Sequence, residues 1–367
     1  MAKKRVAILG ATGSIGKSAL DVISRARDDF EVVLLSAHSR ADELNKAGGE
    51  WPYAARVLSR DGDELIAAIA AAGADITVNG ISGAAGLEPS VAVIESGSAL
   101  ALANKETIVM AGRLVFRLAA EKKTAIIPVD SEHSAIFHLI AAHGRDNLDE
   151  IILTASGGPF RNMTLEEMEK AGPTRALAHP TWNMGPKITI DSASMANKGL
   201  EVIEAARLFD LPPEKIKVTI HPQSVVHSMI RMKDGAVYAS LSRPDMRLPI
   251  QQALYWPAAA PAGFDRLVFD DLCLEFSKPD TLRFPMLALA YDALRENGFY
   301  PCAYNAANET AVGAFLSGDI GFLDIPRITG YVLSGDWKGE PENIAAILEA
   351  DRKAREIARS YISGIKD

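Results

Sequence analysis

Asp130-Ser131-Glu132-His133 sets two carboxylates two positions apart, at the end of an apolar run (124–129) that reads as a buried strand leaving a core. Side chains two apart on a strand share a face. Open α/β sheets gather their ligands at the carboxyl ends of strands. Two carboxylates held that close repel each other unless positive charge lies between them. A hard divalent cation with oxygen ligands meets that need. A helix starting near Ser134, capped by Asp130 or Ser131 and with Glu132 favoured by its dipole, accounts for the same residues without a metal. Both readings stand on these four residues.

A second concentration of polar groups follows at 191–201. Ser192 or Ser194 can cap a helix running to Phe209. On it Asn197 and Glu201 are four apart and Lys198 and Glu201 three apart, so all three share a face. Ser192, Ser194, Asn197 and Lys198 make a set of phosphate donors, and Glu201 offers a third carboxylate. A surface Lys–Glu pair is the plainer alternative. After a strand at 150–155, Ser156-Gly157-Gly158-Pro159-Phe160 turns sharply, and its hydroxyl and backbone N–H groups suit a small anion nest. Residues 176–186 hold two prolines, a glycine and no apolar period, which predicts a loop. Trp182 and Met184 in it are costly to leave in water. They close over a substrate as a lid or pack on neighbouring structure. Asn104-Lys105-Glu106, at the end of a strand at 99–103, meets a ligand or starts a surface helix. Asn305-Ala306-Ala307-Asn308-Glu309 opens a helix with more polar groups than burial favours. His221 and His227 read as structural.

A cofactor site is legible at the N-terminus. Residues 5–9 form a strand and 17–27 a helix, with Gly10-Ala11-Thr12-Gly13-Ser14-Ile15-Gly16 between them. Such glycines let the backbone approach a pyrophosphate, and the helix start supplies N–H groups and a favourable dipole. The second strand, 30–36, runs into Ala37-His38-Ser39-Arg40. An acidic residue there would bond the ribose 2′-hydroxyl of NAD, whereas an arginine accommodates a 2′-phosphate, so Ser39 and Arg40 favour NADP.

These residues need elements to hold them. Helices at 63–72, 89–96 and 108–120 alternate with strands at 75–79, 99–103 and 124–129, a βαβ rhythm that predicts a doubly wound parallel sheet. Strands at 216–220, 225–232 and 236–241, with Lys233-Asp234-Gly235 as a hairpin turn, predict antiparallel pairing and an α+β domain. Residues 257–285 read as an arm with a strand near 272–276. Helices follow at 286–297, 303–317, 324–333 and 341–362. The chain of 367 residues has 23% charged and 48% hydrophobic residues, an ordinary soluble profile. A net charge of −8 gives no basic field for nucleic acid or anionic membrane. The two cysteines, Cys273 and Cys302, form no disulfide framework and fit a reducing cytoplasm. No apolar run of about 18 residues predicts a membrane span, and the N-terminus reads as a strand rather than a signal peptide.

Taken in order, several of these motifs resemble the 1-deoxy-D-xylulose-5-phosphate reductoisomerase family over essentially the whole chain. They are Gly10 to Gly16, Ala103-Asn104-Lys105-Glu106, Pro128-Val129-Asp130-Ser131-Glu132-His133, Ser156 to Phe160, His179-Pro180-Thr181-Trp182-Asn183-Met184-Gly185, Asn197-Lys198-Gly199-Leu200-Glu201, His221-Pro222-Gln223-Ser224 and Asn305 to Glu309. The resemblance implies an α/β protein with an NADPH-binding Rossmann-like domain at 1–150 and an α+β catalytic domain at 151–256. A connecting arm at 257–284 and a C-terminal helical domain at 285–367 complete it. It implies that Thr12, Gly13, Ser14 and Ile15 hold the NADPH pyrophosphate, that His38, Ser39 and Arg40 lie at the 2′-phosphate end, and that Asn104, Glu106 and Gly185 also touch the cofactor. Asp130, Glu132 and Glu201 would ligate Mg²⁺ or Mn²⁺. Lys105, Ser131, Glu132, Ser156, His179, Ser192, Asn197, Lys198 and Glu201 would contact the substrate, with Lys105, Glu132 and His179 catalytic and Trp182 and Met184 on the closing loop. Residues 37–40 depart from the family's glycine- and lysine-containing version, with Arg40 able to restore the charge. The implied activity is conversion of 1-deoxy-D-xylulose 5-phosphate to 2-C-methyl-D-erythritol 4-phosphate, by a cytoplasmic homodimer that binds a small sugar phosphate and no nucleic acid. A sugar-phosphate aldolase or isomerase without redox chemistry, and a non-catalytic NADP sensor, are the alternatives. The glycine-rich first domain argues against one and the carboxylate trio against the other.

Overall fold

The computed structural model describes residues 2–60, 62–182, 184–261 and 263–366, so Asn183 of the closing loop lies outside the described residues. The chain forms two compact units. One takes Met1–Thr107, Val115–Phe137 and Asp245–Arg266, the other Ile108–Leu114, His138–Pro244 and Leu267–Asp367.

The first unit is built on six strands: β1 (Lys4–Leu9), β2 (Phe30–Ala37), β3 (Ala55–Leu58), β4 (Ile76–Asn79), β5 (Ala99–Leu102) and β6 (Ile126–Pro128). They lie in the order β3-β2-β1-β4-β5-β6, and every pair is parallel. The order reverses between β1 and β4, the switch point at which such sheets open a ligand crevice. Val6, Ile8, Val32, Leu35, Val78 and Ala101 are all buried, as strands covered on both faces require. The helix Arg247–Tyr255 joins this core from far along the chain, contributing Ile250, Ala253 and Leu254. It is fastened by Arg247 Nη1 to Asp21 at 3.0 Å and by Tyr255 packed edge-on to Phe30 at 4.9 Å. The edge strand β3 carries only exposed and half-buried residues, so neither an apolar run nor a clean alternation announces it in the sequence.

The second unit contains β7 (Leu148–Ala155), β8 (Ile216–Ile220), β9 (Val226–Met232) and β10 (Val237–Leu241), in the order β10-β9-β7-β8. β9 runs antiparallel to β10, as expected, and also antiparallel to β7. β8 departs from expectation: it pairs parallel to β7. The helices that intervene between β7 and β8 supply the long crossover that a parallel pair needs. The strand expected near 272–276 is not formed. Ser277 alone makes a bridge to Ile220, and Pro279, two residues on, has no N–H with which to extend a ladder. Four helices close the unit: Pro285–Glu296, Tyr300–Leu316, Asp324–Leu333 and Ile344–Lys366. The fold is thus α/β, with a Rossmann-like parallel sheet, a second mixed sheet and a helical C-terminal region.

Candidate active site

In the first unit the glycine turn is shaped by contacts that only glycine permits. Gly10 has φ +81°. A Cβ on Gly16 would lie 2.4 Å from both the Gly10 carbonyl oxygen and the Ala11 Cα, so helix Ser14–Ser24 starts tight against the strand. Gly13 is its N-cap, without a side-chain cap and with no acid in the first turn. Gly13 and Ser14 are exposed, Ile15 is half-buried and Thr12 is buried beneath them. The positive end of the helix therefore faces outward from a glycine cradle, which suits a pyrophosphate. His38, Ser39 and Arg40 are exposed just beyond β2. Arg40 Nη1 donates to the Thr12 carbonyl at 3.5 Å and pairs with Glu43 at 3.5 Å.

Asn104 has a structural task. It caps helix Lys105–Lys122 by accepting from the Thr107 N–H, and its amide nitrogen donates to the Ile81 and Gly83 carbonyls, each at 2.8 Å, and to Glu106 at 3.0 Å. It thereby ties the second glycine-rich loop to the start of that helix.

At the opening motif, β6 ends at Pro128 and helix Ser131–His143 begins three residues later. Asp130 and Glu132 therefore do not share a strand face. A turn followed by a helix start brings them near each other, because backbone donors at the helix start have to be satisfied there. Asp130 Oδ1 accepts from the N–H groups of Glu132 (3.2 Å) and His133 (3.4 Å), so the capping role is real. The positive charge the pair demands is present as well. Lys105 Nζ lies 2.8 Å from Asp130 Oδ2, with both side chains largely buried. Ser131 Oγ donates to the Glu132 carboxylate. Capping leaves Asp130 Oδ2 and the Glu132 carboxylate facing cationic or hydroxyl partners rather than backbone.

In the second unit the Ser156 turn follows β7. Gly157 and Gly158 have φ +79° and +68°, and a Cβ on Gly158 would lie 2.4 Å from the Ser192 carbonyl oxygen. The turn thus rests directly on helix Pro186–Ser194. That helix is absent from the sequence expectation, which ran one helix from Ser192 or Ser194 to Phe209. The structure has two, Pro186–Ser194 and Ala196–Leu208, broken at Met195 with φ +64°. The break sets the end of one helix, with Ser192 and Ser194, against the start of the next, where the Ala196 N–H donates to Ser194 Oγ at 3.4 Å.

Glu201 is buried on the second of these helices. It accepts from Asn197 Nδ2 at 2.6 Å and pairs with Lys198 Nζ. The predicted shared face is therefore real and turned inward, not a surface pair. Asp191, equally buried, was missed by sequence reasoning. Lys187 Nζ approaches it at 2.7 Å, and Asn308 Nδ2 donates to it at 2.9 Å. The excess polarity at Asn305 to Glu309 was its signal. That motif lies in the middle of helix Tyr300–Leu316 rather than at its start. Asn305 bonds Glu309, which pairs with Arg355 at 2.7 Å.

His179 Nδ1 accepts from the N–H groups of Thr181 (3.1 Å) and Trp182 (2.9 Å), and its Nε2 lies 3.1 Å from Ser156 Oγ. Two donors at Nδ1 assign the proton to Nε2, which donates to Ser156. Burial, and then the Arg161 charge, hold the imidazole pKa below its ordinary value. Trp182 and Met184 are half-buried, Trp182 with its ring 6.3 Å from that of His227. Gly185 is exposed and caps the helix start, its carbonyl accepting from Thr189. His221 accepts from Val225 and Val226 through Nε2 and meets the Glu275 carbonyl through Nδ1, consistent with a structural role.

An open parallel sheet in the order of the first unit, with a glycine turn after its first strand, is the dinucleotide-binding class of α/β enzyme fold. Comparison with known proteins narrows this. Family models described as 1-deoxy-D-xylulose 5-phosphate reductoisomerase match residues 6–61 and 50–112, and those of its C-terminal domains match 126–209 and 241–357. The reductoisomerase of Treponema denticola is 48% identical over 373 residues, covering 99% of this chain and 98% of the relative. That of Chlorobaculum tepidum is 47% identical over 380 residues, covering 98% and 100%. The solved Zymomonas mobilis reductoisomerase in complex with NADPH is 40% identical, with a TM-score of 0.89 over 98% of this chain and 99% of that one. A reductoisomerase solved with NADPH, fosmidomycin and magnesium is 37% identical, with a TM-score of 0.92 and 99% of each chain covered. The chain belongs to the 1-deoxy-D-xylulose 5-phosphate reductoisomerase family.

Proposed function

We propose that the reaction is shared between the two sets of side chains described above. The chain is an NADPH-linked, metal-dependent enzyme that converts 1-deoxy-D-xylulose 5-phosphate to 2-C-methyl-D-erythritol 4-phosphate, by rearrangement of the carbon skeleton and then reduction, on the route to isoprenoids. The observation that carries this is a match to relatives that runs end to end rather than over one unit.

The residue roles are our reading. Thr12, Gly13, Ser14 and Ile15 cradle the pyrophosphate, supported by the uncapped helix start and the glycine-only contacts. His38, Ser39 and Arg40 receive the 2′-phosphate end, and Asn104, Glu106 and Gly185 border the cofactor. Asp130, Glu132 and Glu201 hold the divalent ion. Their all-oxygen, all-anionic donor set fits Mg²⁺ or Mn²⁺. When bound, the ion supplies a Lewis acid and template for the substrate's carbonyl and adjacent hydroxyl oxygens, and NADPH supplies the hydride.

The remaining steps fall to the chain. Lys105 now balances Asp130, and Lys198 balances Glu201. Both ammonium groups, held in place by these carboxylates, would also contact the substrate. Ser156, Ser192, Asn197 and Lys198 grip the phosphate, far from the reacting carbons, so its binding energy orients the substrate. His179, neutral and with its proton on Nε2, orients Ser156 and ties down the Trp182–Met184 loop, which excludes water once closed. Ser131 and Glu132 meet the substrate hydroxyls. The finer assignments, a homodimer and a cytoplasmic location, belong to the same reading. Among the described residues no helix is long and apolar enough to cross a membrane.

The test is the loss of NADPH absorbance on adding 1-deoxy-D-xylulose 5-phosphate, with and without EDTA. Oxidation of NADPH that stops with EDTA and returns with Mn²⁺ is expected. Substrate turnover without NADPH loss would point to an aldolase or isomerase instead.

A further inference from the structure

Glu43 has no part in the roles assigned above, yet it lies beside them. It belongs to the first turn of helix Ala41–Gly48, for which Arg40 is the N-cap residue. Its Oε2 sits 3.3 Å from Lys17 Nζ and 3.5 Å from Arg40 Nη1. Two cations, one on helix Ser14–Ser24 and one ahead of the next helix, thus converge on a single oxygen atom. Arg40 also reaches back to the Thr12 carbonyl within the glycine turn. We propose that this oxygen marks where a phosphate oxygen goes: Lys17 and Arg40 together clamp the 2′-phosphate of NADPH, and Glu43 is a built-in competitor that sets how strongly NADPH is preferred over NADH.

The inference rests on the NADPH reading above and goes beyond it in two residues. A phosphate monoester carries a charge of about −2 near neutral pH, whereas NADH presents a hydroxyl at the same atom. Two cations attract the phosphate, and the Glu43 carboxylate both occupies them and repels it. Toward a ribose hydroxyl Glu43 acts in the opposite sense, because a carboxylate near this position is the acceptor NAD sites employ. One side chain therefore opposes one cofactor and accommodates the other. All three side chains are about half exposed, so the effect is screened and amounts to a few-fold rather than several orders of magnitude.

The experiment measures the affinities of NADPH, NADH and 2′,5′-ADP for the full-length wild type, Glu43→Gln and Lys17→Gln at low and high salt. Glu43→Gln is expected to tighten NADPH and 2′,5′-ADP by about 3- to 10-fold and to leave NADH unchanged or weaker. Lys17→Gln is expected to weaken NADPH and 2′,5′-ADP by a similar factor with little change for NADH. Both effects should shrink at high salt. A plain surface ion pair or helix-start acid predicts equal changes for both cofactors, and that result overturns the proposal. So does a Glu43→Gln variant that binds NADPH no better than the wild type. If the wild type prefers NADPH and only the variants fail, this inference alone falls; a wild type that binds neither cofactor overturns the NADPH reading and this inference with it.

Discussion

Glu201 shows how burial turns an ordinary residue pair into a site. A glutamate and a lysine three apart on an exposed helix contribute a few tenths of a kcal/mol. Here both are buried, with Asn197 bonding the other carboxylate oxygen. Glu201→Gln keeps the shape and removes the charge. The expected outcome is a fall in kcat of about 100-fold or more, since a lost metal ligand removes several kcal/mol of transition-state stabilisation. Mn²⁺ affinity should weaken in parallel, and folding stability should fall by about 3–5 kcal/mol, because the buried Lys198 ammonium loses its counter-charge. Wild-type-like turnover would refute the ligand role. His179 gives a pH dependence whose sign follows from its lowered pKa. A histidine kept neutral in the folded state contributes stability that is present above its ordinary pKa. That contribution is lost as pH falls from there through the lowered folded value. Protonation also removes the Nδ1 acceptor that holds Thr181 and Trp182. The substrate KM is therefore expected to rise on the acid side of the ordinary histidine range, with His179→Gln raising KM at neutral pH and flattening the profile. A KM that is pH-independent in the wild type would count against this role.

At the scale of elements, the active regions depend on close backbone approaches more than on long helices. Gly158 has a positive φ and lies against the Ser192 carbonyl. Gly158→Ala should destabilise the fold by about 1–3 kcal/mol and raise the substrate KM, because the clash pushes apart the Ser156 turn and the helix carrying Ser192. Gly185 is the control. It has φ −64° and open space where a Cβ would go. Gly185→Ala should change stability by no more than about 1 kcal/mol, so a weaker NADPH affinity in that variant would report cofactor contact at this residue. Unchanged NADPH affinity would remove Gly185 from the cofactor site. The break at Met195 belongs to the same scale: one left-handed residue converts a long helix into two and creates the junction at which Ser192, Ser194 and Asn197 assemble.

At the scale of the molecule, a chain of two compact units makes ligand binding visible as stability. NADPH at about 100 times its Kd should add about 2.7 kcal/mol to the unit that binds it, seen as an upward shift in a thermal scan. NADH at the same concentration should give a smaller shift. Equal shifts would argue that Arg40 does not read the 2′-phosphate. Scans should be read for more than one transition, since a chain built from two units need not melt in a single step.

By itself the sequence determined what local chemistry can specify. The strand, glycine turn and helix at 5–27, the Lys198–Glu201 face and the two-carboxylate motif follow from the spacing of residues a few positions apart. Those spacings map directly onto the periods of strand and helix. The tertiary structure decided what depends on distant partners. Edge strand β3 has no burial pattern to read. The direction of β8 is set by its pairing with β7, and helix Pro186–Ser194 is a short element opened by a proline. Asp191 gains its meaning only through Asn308, more than a hundred residues away. Asp130 and Glu132 draw both lessons together. Their types and spacing announced a need for positive charge. The structure showed that a helix start, not a strand face, brings them together, and that a buried lysine from another strand–helix junction answers part of that need.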